Sequence, residues 1–253
     1  MNASTPDALL EAAEALFSAH GYDAVGIREI ADRAGANIAS IRYHFGGKRE
    51  LYVATVHRSM KRRHQEDAWL HLEEAPSSRR DAAVRLAGFI RAKVDAIVGD
   101  PCSAACAQLL HREASTPSEA FGAVVDGFVR PHIERLERTI AVIDPDLTKA
   151  ELTRRANFVL GLVVHHHHFR PFIEELGGSS FESARVRNTL TEDLIRFALR
   201  GLRAGETFID RVIETAKTSP PKPSTPSAPT PKQAPKKTRA SAPTGRSGKG
   251  SPA

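Results

Sequence analysis

The chain has 253 residues, 41% of them apolar and 26% charged, a composition that folds around a core. Basic residues outnumber acidic ones 36 to 30, but eight basics and no acid lie from Lys217 onward, leaving 28 against 30 over residues 1–216. The positive charge therefore belongs to a tail, and Cys102 and Cys106 alone cannot build a disulfide scaffold or a four-ligand zinc site. No apolar run approaches the ~20 residues of a membrane span, and Met1-Asn2-Ala3-Ser4 opens no leader-like stretch, so a cytoplasmic protein without membrane partners is expected.

Apolar residues recur at i, i+3, i+4 from Ala8 to about Val212, and no useful alternation of apolar and polar residues occurs, so the fold class predicted is all-α. Three regions differ in composition: short helices punctuated by glycines over residues 1–47, longer helices over 48–216, and a segment 217–253 holding nine of the 16 prolines. That last segment, rich in Pro, Lys, Ser and Ala, buries too little apolar surface to offset the entropy of ordering and is expected to be disordered.

Thr5-Pro6-Asp7 reads as a helix start with Thr5 as N-cap, followed by the stripe Leu9, Leu10, Ala13, Leu16, Phe17 and a stop at His20-Gly21. A second helix opens at Gly26, with Glu29 three residues on, and stops at Gly35. A third runs from about Ile38 to Phe45 with Asn37 as N-cap; Ile38, Ile41 and Phe45 point back to the other two helices. Two short helices joined by a tight Gly-containing turn form a helix-turn-helix pattern, here over about 26–45.

That arrangement leaves Ala39, Ser40, Arg42, Tyr43 and His44 facing outward. Small side chains at Ala39 and Ser40 let a helix backbone approach base edges, Arg42 can pair with guanine or phosphate, and Tyr43, His44 and Lys48 carry donors for phosphate oxygens. From Ile38 to Arg63 seven basic residues stand against one acid, Glu50, which favours a polyanion. An ordinary three-helix bundle with a cationic face is the alternative from spacing and charge.

The run Gly21-Tyr22-Asp23-Ala24-Val25-Gly26-Ile27-Arg28-Glu29-Ile30-Ala31, then Ile41-Arg42-Tyr43-His44-Phe45 and Lys48-Arg49-Glu50-Leu51-Tyr52, resembles the DNA-binding domain of TetR/AcrR-family regulators. The resemblance implies that the third helix lies in the major groove of double-stranded DNA, that Tyr43, His44 and Lys48 grip phosphates, and that Asn37, Ser40 and Arg42 lie near bases or sugars. Three positions depart from the family: Val25 and Gly26 stand where Thr or Ser is frequent, leaving Arg28 and a backbone N–H for that phosphate, and Arg42 replaces the usual aromatic. Leu109-Leu110-His111-Arg112-Glu113-Ala114-Ser115-Thr116-Pro117 with Val129-Arg130-Pro131-His132 resembles the effector domain of the CecR-like branch. By resemblance, residues 48–216 bind a small-molecule effector and dimerise. A homodimer on an inverted-repeat operator also follows from the limited specificity of a single short reading helix. The function implied is a repressor released from its operator by the effector.

In the larger region, a long helix from Lys48 carries Lys61-Arg62-Arg63 at its middle and is broken by Pro76-Ser77-Ser78. Further helices are predicted over Ala82–Val98, Ala104–Glu113, Ser118–Ile140, from a capping box at Thr148-Lys149-Ala150-Glu151 to about Leu176, and over Val186–Leu202. Phe89, Phe121, Phe128 and Phe158 are candidates for an apolar effector cavity, with plain core as the competing reading. Consecutive His165 to His168 spread over all helix faces, so at most His165 and His168 could share an ion; a mix of dimer-interface and pocket-edge histidines accounts for them without a metal. Cys102 and Cys106, one turn apart, could form a thiol pair or be small buried residues. No phosphate loop, Gly-x-Ser-x-Gly or zinc-hydrolase spacing is present, so neither catalysis nor a cofactor is expected. A metal- or thiol-responsive regulator and a nonspecific nucleoid-type binder using the basic tail are the alternative functions.

Overall fold

The computed structural model describes residues 4–67, 69–70, 74–96, 101–177 and 179–218, with the side chains of residues 66 and 101–103 excepted. Residues 219–253 of the expected tail and the Cys102 side chain lie outside the described residues. Within them all regular structure is helical, with no strand.

The first three helices are α1 (Thr5–His20), α2 (Ile27–Arg33) and α3 (Ile38–Phe45). Ser4, not Thr5, caps α1: its Oγ accepts from the Asp7 N–H at 3.4 Å, so Thr5 already lies inside the helix. The α2–α3 turn is set by Gly35 at φ +62°, where a side chain would be strained. The Gly35 N–H bonds the Asp32 carbonyl at 3.1 Å and the Ala36 N–H the Ala31 carbonyl at 2.9 Å, a Schellman closure of α2. Asn37 then accepts from the Ala39 N–H at 2.9 Å and starts α3. Ile41 is buried, but Ile38 is 37% exposed and does not join the inward row expected of it. Helical side chains lean toward the N-terminus, so the first residue of α3 overhangs the turn instead of the core.

Helix α4 (Lys48–Glu66) ends at Asp67, well before Pro76, which places Lys61-Arg62-Arg63 toward its C-terminal end, not its middle. Beyond it lie α5 (Arg79–Asp95), α6 (Pro101–Ser115), α7 (Phe121–Val124), a π-helical turn (Val125–Val129), α8 (Arg130–Ile143), α9 (Lys149–His168), α10 (Arg170–Gly177), α11 (Ala184–Gly201) and α12 (Glu206–Thr218). The single helix expected over Ser118–Ile140 is thus interrupted. Pro131 cannot donate to the carbonyl four residues back, and the widened turn just before it accommodates that loss. The capping box forms as predicted, with the Thr148 N–H donating to Glu151 Oε2 at 2.8 Å, but its helix breaks at Phe169. Helix α12 continues the fold to Thr218, into the segment expected to be disordered.

Two apolar clusters organise the chain. One gathers Leu9, Leu16, Phe17, Ile30, Ile41, Leu51 and Val56 of α1 to α4, and it is completed by Cys106 and Leu109 of α6, Ala120 just before α7 and Val124 of α7. The other joins α5, α8, α9, α11 and α12 through residues such as Leu86, Phe89, Ile90, Leu136, Ile140, Ile195 and Ile209. Packing of the head therefore does not stop at residue 47. Helix α4, about 28 Å long at 1.5 Å per residue, belongs to the first cluster, and Trp69 just past its end belongs to the second.

Candidate nucleic-acid interface and cavity

Helix α3 packs one edge into the head and leaves the rest open, because among its residues only Ile41 is fully buried. Arg28, Asn37, Ala39, Arg42 and His44 are exposed, Ser40 is half-buried, and Tyr43 is 84% exposed, an unusual position for a phenol unless something covers it. The Tyr43 and His44 rings meet edge to face at 4.8 Å, which restrains both. Lys48 Nζ lies 4.4 Å from the centre of the Tyr22 ring, so a cation–π contact aims this first residue of α4. Because Asn37 Oδ1 is spent on the cap, its amide N–H groups are what it can offer a nucleic acid. The eight residues singled out from the sequence thus sit on the helix-turn-helix unit and the start of α4, outside the core.

Polar contacts that the sequence alone did not reveal join this head to the rest. Buried Glu14 of α1 accepts from Ser59 at 2.8 Å and from Arg62 at 2.6 Å, both on α4. Tyr52 donates to Glu113 of α6 at 2.7 Å; burial, then the Glu113 hydrogen bond and charge, push the phenol well above its ordinary range. Arg112 reaches the Ser18 and Ala19 carbonyls at 3.3 Å. It also lies against Gly21, at φ +84°, where a Cβ would come within 2.7 Å of the guanidinium.

At the far end of α4, Asp67 is buried beside Lys93 of α5 and His132 of α8. Its Oδ2 lies 2.5 Å from Lys93 Nζ and 3.0 Å from His132 Nε2. Burial alone would raise the Asp67 carboxyl, but the hydrogen bonds and charges of His132 and Lys93 outweigh it and hold the group well below the usual carboxylate range. Residue spacing gave no sign of this triad, since its members are brought together from three helices.

Lys93 and His132 also stand on the wall of a cavity of about 130 Å³ lined by α4, α5, α6, the π turn, α8 and α9 and open to solvent on one side. Of the four aromatic candidates, Phe128 lines it; Phe89 is buried against Trp69, with ring centres 5.0 Å apart, and Phe121 and Phe158 are 39% and 60% exposed. Helical spacing could not tell these surroundings apart. Cys106 lies on the same wall, 3.8 Å from the Met60 sulfur, and burial pushes its thiol up to about 11. His166 and His168 hydrogen-bond the carbonyls of Leu162 and Val164 on their own helix, and no group of three His, Cys, Asp or Glu among the described residues could hold a metal ion. No helix among these residues is long and apolar enough to cross a membrane.

Comparison with known proteins agrees with this geometry. Residues 9–55 match the family described as bacterial regulatory proteins, tetR family, and residues 82–202 match the C-terminal domain of the HTH-type transcriptional dual regulator CecR. The chain is 36% identical over 92 residues to the HTH-type transcriptional activator FasR of Mycolicibacterium smegmatis, covering 36% of this chain and 40% of FasR. It is 52% identical over 46 residues to CecR of Shigella flexneri, covering 18% of this chain and 20% of that one. The aligned stretches thus span well under half of these curated relatives. In fold, the chain is similar to AibR in complex with isovaleryl coenzyme A and operator DNA, with a TM-score of 0.57 and 17% identity over 76% of this chain and 96% of AibR. With a TetR-type head on α1 to α4 and a CecR-type domain on the helices that follow, the chain belongs to the TetR family of bacterial regulatory proteins.

Proposed function

We propose that the protein is a sequence-specific DNA-binding transcriptional regulator that acts as a homodimer on an inverted-repeat operator and is released by a small-molecule effector. The observation that carries this reading is α3 itself. It exposes Tyr43 at 84%, far more than Ile27 or Ile38, the other exposed large apolar residues of the head, beside Arg42 and His44, with Ala39 small enough for close approach to a groove. Tyr43, His44, Lys48 and Arg28 would hold phosphates, while Asn37, Ser40 and Arg42 would face bases or sugars. Exposed Phe158 and Phe197, at 60% and 67% on α9 and α11, offer apolar surface for a second copy.

The cavity beside the end of α4 is the place for the effector. AibR, described with both isovaleryl coenzyme A and operator DNA, supports a link between ligand and operator on this fold. An effector changes DNA affinity only by its differential affinity for the two head placements, so it must act on a group that connects the cavity to α4. Repression is the direction proposed. Footprinting of the purified protein on its own upstream region tests the reading: a symmetric protected stretch is expected, and its absence, or its persistence unchanged in Tyr43→Ala/Lys48→Ala, overturns it. A promoter fusion in the presence and absence of the protein separates repression from activation.

A further inference from the structure

The cavity is apolar along most of its wall and cationic at one end. Among its described lining residues are Arg63, Lys93, His132, His167 and His168, and no acid. Asp67 sits behind the wall and shares one oxygen, Oδ2, between Lys93 and His132. His132 Nδ1 lies 2.8 Å from the Phe128 carbonyl and must carry a hydrogen, which leaves Nε2 turned to Asp67 and, at 3.4 Å, to Lys93. Lys93, Arg63 and His132 are three basic groups against the single carboxylate of Asp67, so the basic end of the cavity has donors to spare. Burial pushes the Lys93 ammonium below its usual range, and Arg63 adds to that despite the opposite pull of Asp67. His168 Nε2, on a residue of the same wall, is buried with no hydrogen-bond partner among the described residues.

An apolar space of roughly 150 Å³ accepts a molecule the size of benzene, and this cavity is of that order at about 130 Å³. A compact apolar body with one anionic group matches both ends. The anion that suits the site is a carboxylate: Lys93 and His132 already hold one in Asp67, and the Arg63 guanidinium is a planar fork suited to another.

We propose that the cavity binds a small apolar monocarboxylate, its acid group received by Lys93 and Arg63, and that this draws Lys93 away from Asp67 and frees the end of α4. The coupling to α4 rests on the regulator reading above; occupancy of the cavity does not. Asp67 is the residue that closes α4, its N–H bonded to the Arg63 carbonyl at 3.1 Å, so the ligand would compete at the joint that fixes the connector to α5 and α8.

The test uses the full chain, with benzoate and hexanoate against benzamide and hexanamide, read by isothermal titration and thermal melting. Saturable binding of at least one acid is expected, with its amide bound at least about ten-fold more weakly, the equivalent of one charge-assisted hydrogen bond. Arg63→Gln should weaken acid binding about ten-fold and move amide binding less than two-fold, and Ala107→Phe should abolish both by filling the space. Operator affinity is read on the same samples. Acid binding by a protein that binds no DNA would retire the regulator reading and leave the cavity assignment standing. No saturable acid response, or acid and amide bound alike, or acid binding unmoved by Arg63→Gln, overturns the assignment; acid binding that leaves operator affinity unchanged overturns the coupling.

Discussion

Tyr52 on α4 and Glu113 on α6 meet through a buried 2.7 Å hydrogen bond, and Glu113 also accepts from the Ser118 N–H at 3.2 Å. One carboxylate thus ties the helix that leaves the head to the two segments that complete its core. Tyr52→Phe removes one donor and keeps the ring, which packs edge to face on Phe17 at 5.1 Å. A loss of about 1.5–3 kcal/mol is expected from urea melts, the size of a buried hydrogen bond to a charged acceptor. A loss within error would show that the bond contributes nothing net.

Asp67→Asn should cost about 3 kcal/mol, because it strands Lys93 in a buried site without its counter-charge. The folded carboxyl titrates below its unfolded value, so its stabilisation is complete above about pH 4 and is lost as pH falls through the folded value. Urea melts of parent and variant should therefore keep their gap from pH 7 down to about pH 4, begin to close below it, and converge only as the pH passes through the folded value, well below the usual carboxylate range. A gap that widens on acidification contradicts the ion pair.

The helices that the sequence made legible are those with local punctuation. Gly21, Gly26, Gly35 and Asn37 mark the head, and Thr148 with Glu151 marks α9; each signal lies within a few residues of the turn it causes. The end of α4 was misplaced because no breaker stands there: Asp67 is pulled out of the helix by partners 26 and 65 residues away. The cavity was legible only as an expectation, since periodicity assigns Phe89, Phe121, Phe128 and Phe158 to inward faces without saying which space those faces enclose. His132 and Glu113 fall in the two stretches that carried the resemblance to CecR, and the structure supplies a physical reason, since both are buried polar groups with partners on other helices.

Replacing the surface of α3 separates positioning from reading. Tyr43→Ala and Lys48→Ala should weaken binding to every DNA sequence and lower the salt slope by about one unit for each phosphate no longer neutralised. Arg42→Ala should instead alter base preference, measured by selection from a randomised duplex pool. Equal losses for Arg42→Ala on operator and random DNA would remove it from base recognition.

The Cys106 thiol is 4% exposed and is pushed by burial up to about 11, so at pH 7.5 less than about one molecule in a thousand carries the thiolate. Iodoacetamide should leave Cys106 unmodified in the native protein and label it fully after denaturation, as read by peptide mass mapping. Fast native labelling at that residue would revive a thiol-responsive mechanism.

Exposed Phe158 and Phe197 provide the simplest test of assembly. Phe158→Glu/Phe197→Glu should yield monomers by analytical ultracentrifugation while the helical content is retained, because both side chains are outside the core. A dimer of unchanged affinity would place the interface elsewhere.

The head's core is closed by Leu109, Ala120 and Val124, which arrive in the chain more than fifty residues after Lys48, the last of the proposed DNA contacts. The DNA-binding unit is therefore not a detachable cartridge. A chimaera that transplants residues 1–47 onto a foreign body would bring an unfinished hydrophobic surface, and the tilt of its α3 would be dictated by whatever the new host packs underneath. Engineers seeking altered operator choice would do better to exchange side chains on α3 in place than to swap heads.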